Sequence, residues 1–254
     1  MFTFTEYTQL INEGFIFKDK TFYFDVNVNN IISSRFGKGK NKKPYESKLA
    51  FGKLYSVYKK SPTVDRETYL NFLSALKGQT KEYTVDPIAY DKFLTRTALY
   101  ISRLIKSYSI DTILLMESSS PLLNNLYQKI KDYLPKYYDM FSYENGIFKN
   151  PNFDEISIDK ERFGLDDKTV SNLSRDIAKA KRNKYFSIKK FPPSLRKVVI
   201  NWLKLRDDIL SKIVDKNVLV LDDVMTSGST INEASRLLHD AGAQNIIGIT
   251  AIKS

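Results

Sequence analysis

The sequence predicts an α/β fold with a parallel sheet, and two strand–loop–helix units in its second half carry that prediction. In the first unit, Thr112-Ile113-Leu114-Leu115-Met116 is a short, nearly continuous apolar run, the pattern of a strand buried on both faces. Glu117 to Pro121 break the run, and Leu122 to Leu134 resume a helical period. In the second unit, Val218 to Leu221 read as the strand, Asp222 to Ser229 as the loop and Thr230 to His239 as the helix. Ile231, Ala234, Leu237 and Leu238 share the inward face of that helix. Gly242 stops it, and Ile246 to Ile252 form a further apolar strand. Strands alternating with helices imply a parallel sheet covered by helices on both faces.

Length and composition bound the remainder. The chain has 254 residues, enough for one large domain or a domain with an appended subdomain at ~150 residues each. With 42% hydrophobic and 27% charged residues, wholesale disorder is excluded. The absence of Cys rules out disulfides, a thiol nucleophile and a thiolate zinc site. A single His rules out chemistry that needs two imidazoles. No run approaches the ~18 apolar residues of a membrane span. Met1 to Glu6 lack the basic and apolar regions of a signal peptide. The expectation is a soluble, cytoplasmic protein with no membrane partner.

Lys and Arg number 40 against 29 Asp and Glu, a net charge of +11. That charge fits a polyanion partner such as nucleic acid or a phosphorylated small molecule. It equally fits an AT-rich coding sequence that inflates Lys and scatters it over solvated faces, and the scatter favours this second reading.

Upstream of the first unit, Phe15 to Val28 read as a hairpin, with Phe22, Phe24, Val26 and Val28 on one face. The stretch Arg35 to Lys43 is a basic loop with Phe36 as its aromatic, so a solvated loop is favoured over a nucleic-acid grip. Helical patterns cover Thr68 to Leu76 and Tyr90 to Tyr108. Between the two units lies a long polar segment, Phe141 to Leu203, with a charged helical stretch from Lys168 to Lys184 and a break at Pro192-Pro193. So long an insertion in an α/β core is usually functional or mobile.

The chemistry concentrates in Asp222-Asp223-Val224-Met225-Thr226-Ser227-Gly228-Ser229-Thr230. A buried strand brings two carboxylates to its C-terminal end, where open α/β sheets hold their ligands. Thr226 to Thr230 then open onto a helix N-terminus, offering backbone N–H groups, hydroxyls and a positive helix end to one phosphate. Carboxylates repel phosphate but accept hydrogen bonds from sugar hydroxyls and support Mg²⁺ through water. Phosphate at one end and a diol at the other describe a ribose 5-phosphate. A P-loop nucleotidase is excluded, because no G-x-x-x-x-G-K-[ST] loop precedes the strand.

This string resembles the 5-phosphoribosyl-1-pyrophosphate (PRPP) signature of type I phosphoribosyltransferases, nearest in pattern to orotate-type and competence-associated members. The resemblance implies a flavodoxin-like parallel core over residues 96–254, with a long mobile insertion at about 141–203. Residues 1–95 would form an N-terminal α+β subdomain acting as a hood. By position, Asp222 and Asp223 would hold the ribose and act as the catalytic pair, while Thr226, Ser227, Gly228, Ser229 and Thr230 bind the 5′-phosphate. The segment Asp111 to Leu126 resembles the family's first core strand and pyrophosphate loop, which assigns Ser118, Ser119 and Ser120 to pyrophosphate. Lys168 to Ile188 is similar to a mobile segment of the competence-associated members, and reads equally well as a solvated charged helix.

The activity implied is Mg²⁺-dependent transfer of ribose 5-phosphate from PRPP to a nitrogenous acceptor, releasing pyrophosphate. Dimers are common in the family. Arg175, Lys179, Lys181 and Arg182 are candidates for a leaving-group cation. Purine-type members carry Asp at the position of Thr226, and Thr cannot serve as a general base, so a 6-oxopurine acceptor is disfavoured. The alternative is a non-catalytic, PRPP-sensing regulator that binds nucleic acid. His239, in the last turn of its helix, reads as structural or surface.

Overall fold

A computed structural model describes residues 14–25, 31–34, 45–49, 51–118, 120–134, 141–183 and 185–254. In chain order these form strands β1 (Gly14–Lys18), β2 (Thr21–Asp25), β3 (Ile32–Ser34), β4 (Tyr45–Lys48) and β5 (Lys53–Lys60), then helix α1 (Arg66–Leu76). Next come β6 (Thr84–Val85), α2 (Pro87–Ser107), β7 (Thr112–Met116), α3 (Pro121–Tyr133) and β8 (Phe141–Lys149). The middle of the chain holds β9 (Ser157–Ile158), α4 (Lys160–Phe163), α5 (Asp167–Arg182), β10 (Val199–Ile200) and β11 (Leu203–Leu205). It closes with β12 (Asn217–Met225), α6 (Ser229–Asp240) and β13 (Asn245–Lys253). None of the described helices is long and apolar enough to cross a membrane.

The main sheet has the order β11-β8-β7-β12-β13-β5-β3, with β4 also paired to β5. Its five central strands, β8-β7-β12-β13-β5, are parallel, and the outer β11, β3 and β4 are antiparallel. Counted from β7, the order β8-β7-β12-β13 is the 2-1-3-4 of the flavodoxin-like arrangement. Its fifth place is taken by β5, which precedes β7 in the chain. The apolar runs explain the centre: β7 is buried along its whole length, and Val218 to Leu221 are each fully buried. Each such Ile, Leu or Val contributes about 1.5–3 kcal/mol by leaving water. Helix α3 packs against α2 and β12, and α6 packs against β12 and β13.

The sheet crosses the boundary that the sequence placed at residue 95. Strand β5 is buried from Leu54 to Tyr58, although its Tyr and Ser residues blur the apolar signal. Their hydroxyls are satisfied inside: Ser56 Oγ and Thr250 Oγ1 share a 2.6 Å hydrogen bond, and the Tyr55 and Tyr108 hydroxyls pair. The segment expected as an insertion at 141–203 likewise contributes strands at both ends, β8 and β11. Polar residues in Ser142-Tyr143-Glu144-Asn145 and a bulge opposite Leu114 and Met116 conceal β8.

The β1–β2 hairpin turns at Asp19-Lys20, both with positive φ (50° and 60°), as a two-residue hairpin turn requires. Fully buried Phe15 and Phe22 pack on Phe72 of α1, with ring centroids 4.8 and 5.4 Å apart. Residues 26–28 of the expected hairpin, and the basic loop 35–43, lie outside the described residues.

What remains between β8 and β11 is docked onto α6 by a buried polar network. The Glu233 carboxylate, 3% exposed, accepts the Asn201 backbone N–H at 2.6 Å and both Nε and Nη2 of Arg236 at 2.9 and 2.7 Å. Arg236 Nη2 also donates to Asn201 Oδ1 at 2.7 Å, and Asn201 adopts φ 61° to meet them. Burial outweighs the neighbouring guanidinium and holds the Glu233 carboxyl above the usual carboxylate range. Replacing Glu233 by Ala leaves Arg236 and the Asn201 N–H without their buried acceptor. The variant is expected to lose about 3 kcal/mol of stability in urea denaturation; a loss below about 1 kcal/mol would show that the network does not hold the segment.

Candidate active site

The C-terminal ends of β7 and β12 open side by side because the two strands are parallel neighbours in register, Leu221 opposite Leu115. Strand β12 continues past the apolar run to Met225 and so carries Asp222 and Asp223 within it. Asp223 is buried at 5% exposure, and Asp222 is half-buried. The Asp223 N–H donates to Asp222 Oδ1 at 2.8 Å, and the Val224 N–H to Asp223 Oδ1 at 2.6 Å.

The second oxygen of Asp223 faces Lys77, whose Nζ lies 2.7 Å from Oδ2. Burial, then the adjacent Asp223 charge, pushes the Asp222 carboxyl up to about 7. The Asp223 N–H, Lys77 and Lys189 pull in the opposite direction. Two carboxylates in one crowded site resist ionising together.

Beyond β12 the loop turns through Gly228, which caps α6 with φ 72° and no side-chain cap of its own. Four other helices show the contrast: Asp65, Asp86, Ser120 and Asp166 each cap theirs with a side-chain oxygen. A Cβ at Gly228 would meet Met225 Sδ at 3.3 Å in a backbone conformation that L residues rarely adopt. Glycine therefore leaves the positive helix end without a carboxylate or hydroxyl of its own cap residue. Ser227 and Ser229 share a hydrogen bond between their hydroxyls at 2.9 Å.

Thr226, Ser227, Gly228 and Ser229 line a cavity of about 290 Å³, which Lys197 and Lys253 also line. Cationic side chains beside a helix N-terminus make an anion site. Thr230 is half-buried and does not line this cavity.

The loop after β7 is arranged differently. Ser120 is 4% exposed, and its hydroxyl is committed: it accepts from the Leu122 N–H at 3.2 Å and donates to the Lys77 carbonyl at 3.1 Å. Ser118 Oγ accepts from the Ser120 N–H at 3.1 Å, and Ser119 lies outside the described residues. The Glu117 carboxylate turns away toward β8, accepting the Lys149 N–H at 3.1 Å.

The cations named from the sequence are not those that act on the carboxylates. Lys181 pairs with Asp154 at 3.2 Å and Lys179 with Asp176 at 3.8 Å, while Arg175 and Arg182 are exposed. Lys77 and Lys189 act on Asp222 instead. Neither has a distinctive sequence signal, although Leu76-Lys77-Gly78 reads as a helix end. His239 is exposed and stacks on Phe51 with centroids 3.9 Å apart.

The parallel sheet thus brings paired carboxylates and a glycine-capped helix N-terminus together at the end of one central strand. Residues 171–254, from α5 onward, match the family model of the phosphoribosyl transferase domain. The match includes β12, its loop and α6, and excludes the loop after β7. No curated protein matches the sequence.

Among solved structures, a purine phosphoribosyltransferase from Pyrococcus horikoshii OT3 is 12% identical with a TM-score of 0.34, over 64% of this chain and 82% of that one. A hypoxanthine phosphoribosyltransferase from Staphylococcus aureus is 13% identical with a TM-score of 0.34, over 64% of each chain. Glutamine PRPP amidotransferase from B. subtilis is 13% identical with a TM-score of 0.37, over 70% of this chain and 30% of that one. This chain thus spans less than two thirds of the length of the latter two.

A carboxyl held near 7 binds its proton more tightly in the folded chain than in the unfolded one, where it titrates near 4. Its contribution therefore favours the fold at about pH 4 and fades as pH rises to about 7. In urea denaturation without ligand, Asp222→Asn is expected to gain on the wild type progressively over that window, by at most about 4 kcal/mol. A stability difference that does not change between those pH values would refute the raised carboxyl.

Proposed function

We propose that the protein is an Mg²⁺-dependent phosphoribosyltransferase, moving the 5-phosphoribosyl group of PRPP onto a nitrogenous, nucleobase-like acceptor. The observation that carries this reading is the pairing, at one strand end, of the Asp222–Asp223 carboxylates with the uncapped N-terminus of α6. The family match over residues 171–254 supports it. A cytoplasmic setting belongs to the same reading.

In this reaction the bond from C1 of the ribose to pyrophosphate breaks and a C1–nitrogen bond forms. The chain's part is positioning and charge. The Ser227 to Ser229 backbone and hydroxyls, with Lys197 and Lys253 beside them, hold the 5′-phosphate. Asp222 and Asp223 accept hydrogen bonds from the ribose hydroxyls and stabilise the positive charge that develops at the sugar. Fixing both ends of the ribose orients C1 toward the acceptor.

The described residues hold no cluster of three or more His, Cys, Asp or Glu fit for a metal. Two adjacent carboxylates do suit Mg²⁺, which binds through one or two carboxylates together with substrate phosphates and water. Asp222 and Asp223 would hold it, and it would neutralise the leaving pyrophosphate. Thr226 cannot take a proton from the acceptor, which favours acceptors other than 6-oxopurines.

Calorimetric titration of Mg²⁺-PRPP into the wild type is expected to show binding. In Asp222→Asn/Asp223→Asn the loss of two charge-assisted hydrogen bonds should weaken it at least ~100-fold. Pyrophosphate release on adding acceptors then identifies the base. A folded wild type that ignores millimolar PRPP would sink this reading.

A further inference from the structure

The loop after β7 borders the carboxylates, yet Glu117-Ser118-Ser119-Ser120 contains no Lys or Arg. With Glu117 turned to β8 and the Ser120 hydroxyl already committed, this side of the site has little of its own to set against a polyanion. A diphosphate arriving beside two carboxylates requires a cation. The described structure brings one from elsewhere in the chain.

Lys77 is the residue that ends α1, and its main chain is fixed at three points. Its own N–H bonds the Leu73 carbonyl at 3.0 Å. Gly78, with φ 64°, and Gln79 then donate to the Ala75 and Ser74 carbonyls at 3.0 and 2.8 Å. These two bonds make a Schellman motif, which needs a left-handed residue directly after Lys77. Third, the Lys77 carbonyl accepts the Ser120 hydroxyl at the start of α3.

The Lys77 backbone is thereby tied to the loop after β7, while its ammonium reaches 2.7 Å from Asp223 at the end of β12. Its side chain is 20% exposed against 7% for that of Asp223, so of the two partners the lysine is the more open to solvent. A four-carbon stem on a fixed backbone can swing without moving the helix.

We propose that Lys77, supplied by the N-terminal half of the chain, is the diphosphate-binding cation of this site. It neutralises Asp223 while the site is empty. When ribose hydroxyls take over Asp223, the ammonium turns onto the diphosphate at the end of β7. The proposal rests on the reading of PRPP as substrate. It deepens that reading by naming a residue outside the segment that matches the family.

The test compares PRPP with ribose 5-phosphate, which has the phosphate and the diol but no diphosphate. Both are titrated calorimetrically into the wild type, Lys77→Gln and Lys77→Arg, with Mg²⁺ held constant. Gln keeps a hydrogen-bond donor for Asp223 and removes the charge; Arg keeps the charge. The expected result is that Lys77→Gln weakens PRPP at least ~10-fold, leaves ribose 5-phosphate within about threefold, and that Lys77→Arg restores most of the difference.

Equal weakening of both ligands in Lys77→Gln would overturn the proposal, since Lys77 would then merely hold Asp223 in place. Unchanged binding of both would overturn it too, and either result leaves the PRPP reading standing. If Lys77→Gln fails to fold, Lys77→Arg decides alone: a PRPP to ribose 5-phosphate preference within about threefold of wild type supports the proposal, and collapse of that preference overturns it. A wild type that binds neither ligand overturns the substrate reading and the proposal together.

Discussion

The burial of β12 on both faces, between β7 and β13, is the constraint on which the candidate site depends. A parallel strand in that place must be apolar along its length, and Val218 to Leu221 meet the demand. Polar residues are admissible only where the strand emerges, so Asp222 and Asp223 stand at the rim of the core. The rim is also where α6 begins, because a parallel strand must hand the chain to a crossover at the same edge. Carboxylates and helix terminus are neighbours for one topological reason.

That placement creates an electrostatic problem. Asp222 and Asp223 are adjacent in sequence, partly withdrawn from water and mutually repulsive. The molecule answers from distant segments: Lys77 from the end of α1 and Lys189 from the stretch between β8 and β11 both favour the ionised form of Asp222. The Glu233–Arg236–Asn201 network ties this stretch to α6. The helix that presents the candidate phosphate loop is thus also the anchor for the segment that supplies a balancing charge.

The centre of the sheet and the Asp222 to Thr230 string were legible because their signal is local. An apolar run ends in two acids, small hydroxylated residues follow, and a helical period begins. Strand β5 was not legible, because buried Ser56 and Tyr55 meet hydroxyl partners far along the chain, and β8 was hidden by its polar residues and the bulge against β7. Lys77 was hidden for the same reason: an ordinary lysine before a glycine reveals a helix end and nothing of the carboxylate it meets. The acidic and basic residues of α5 drew attention as a charged stretch, yet two of its lysines pair with Asp154 and Asp176. What the linear pattern conveys is what neighbours in sequence decide; charge compensation across the sheet is decided by topology.

The position of β5 has a consequence for how this chain comes to be built. It occupies the sheet's fifth parallel place, beside β13, although it is made long before β7. Ser56 and Thr250, which bond across that seam, are 194 residues apart. Until β13 is made, the edge of β5 that pairs with it in the folded sheet lacks that partner. Pairings of such long sequence separation form slowly and expose a strand edge meanwhile. The nine-residue strand β13 therefore acts as the keystone of the sheet, joining β5 to the strands made after it.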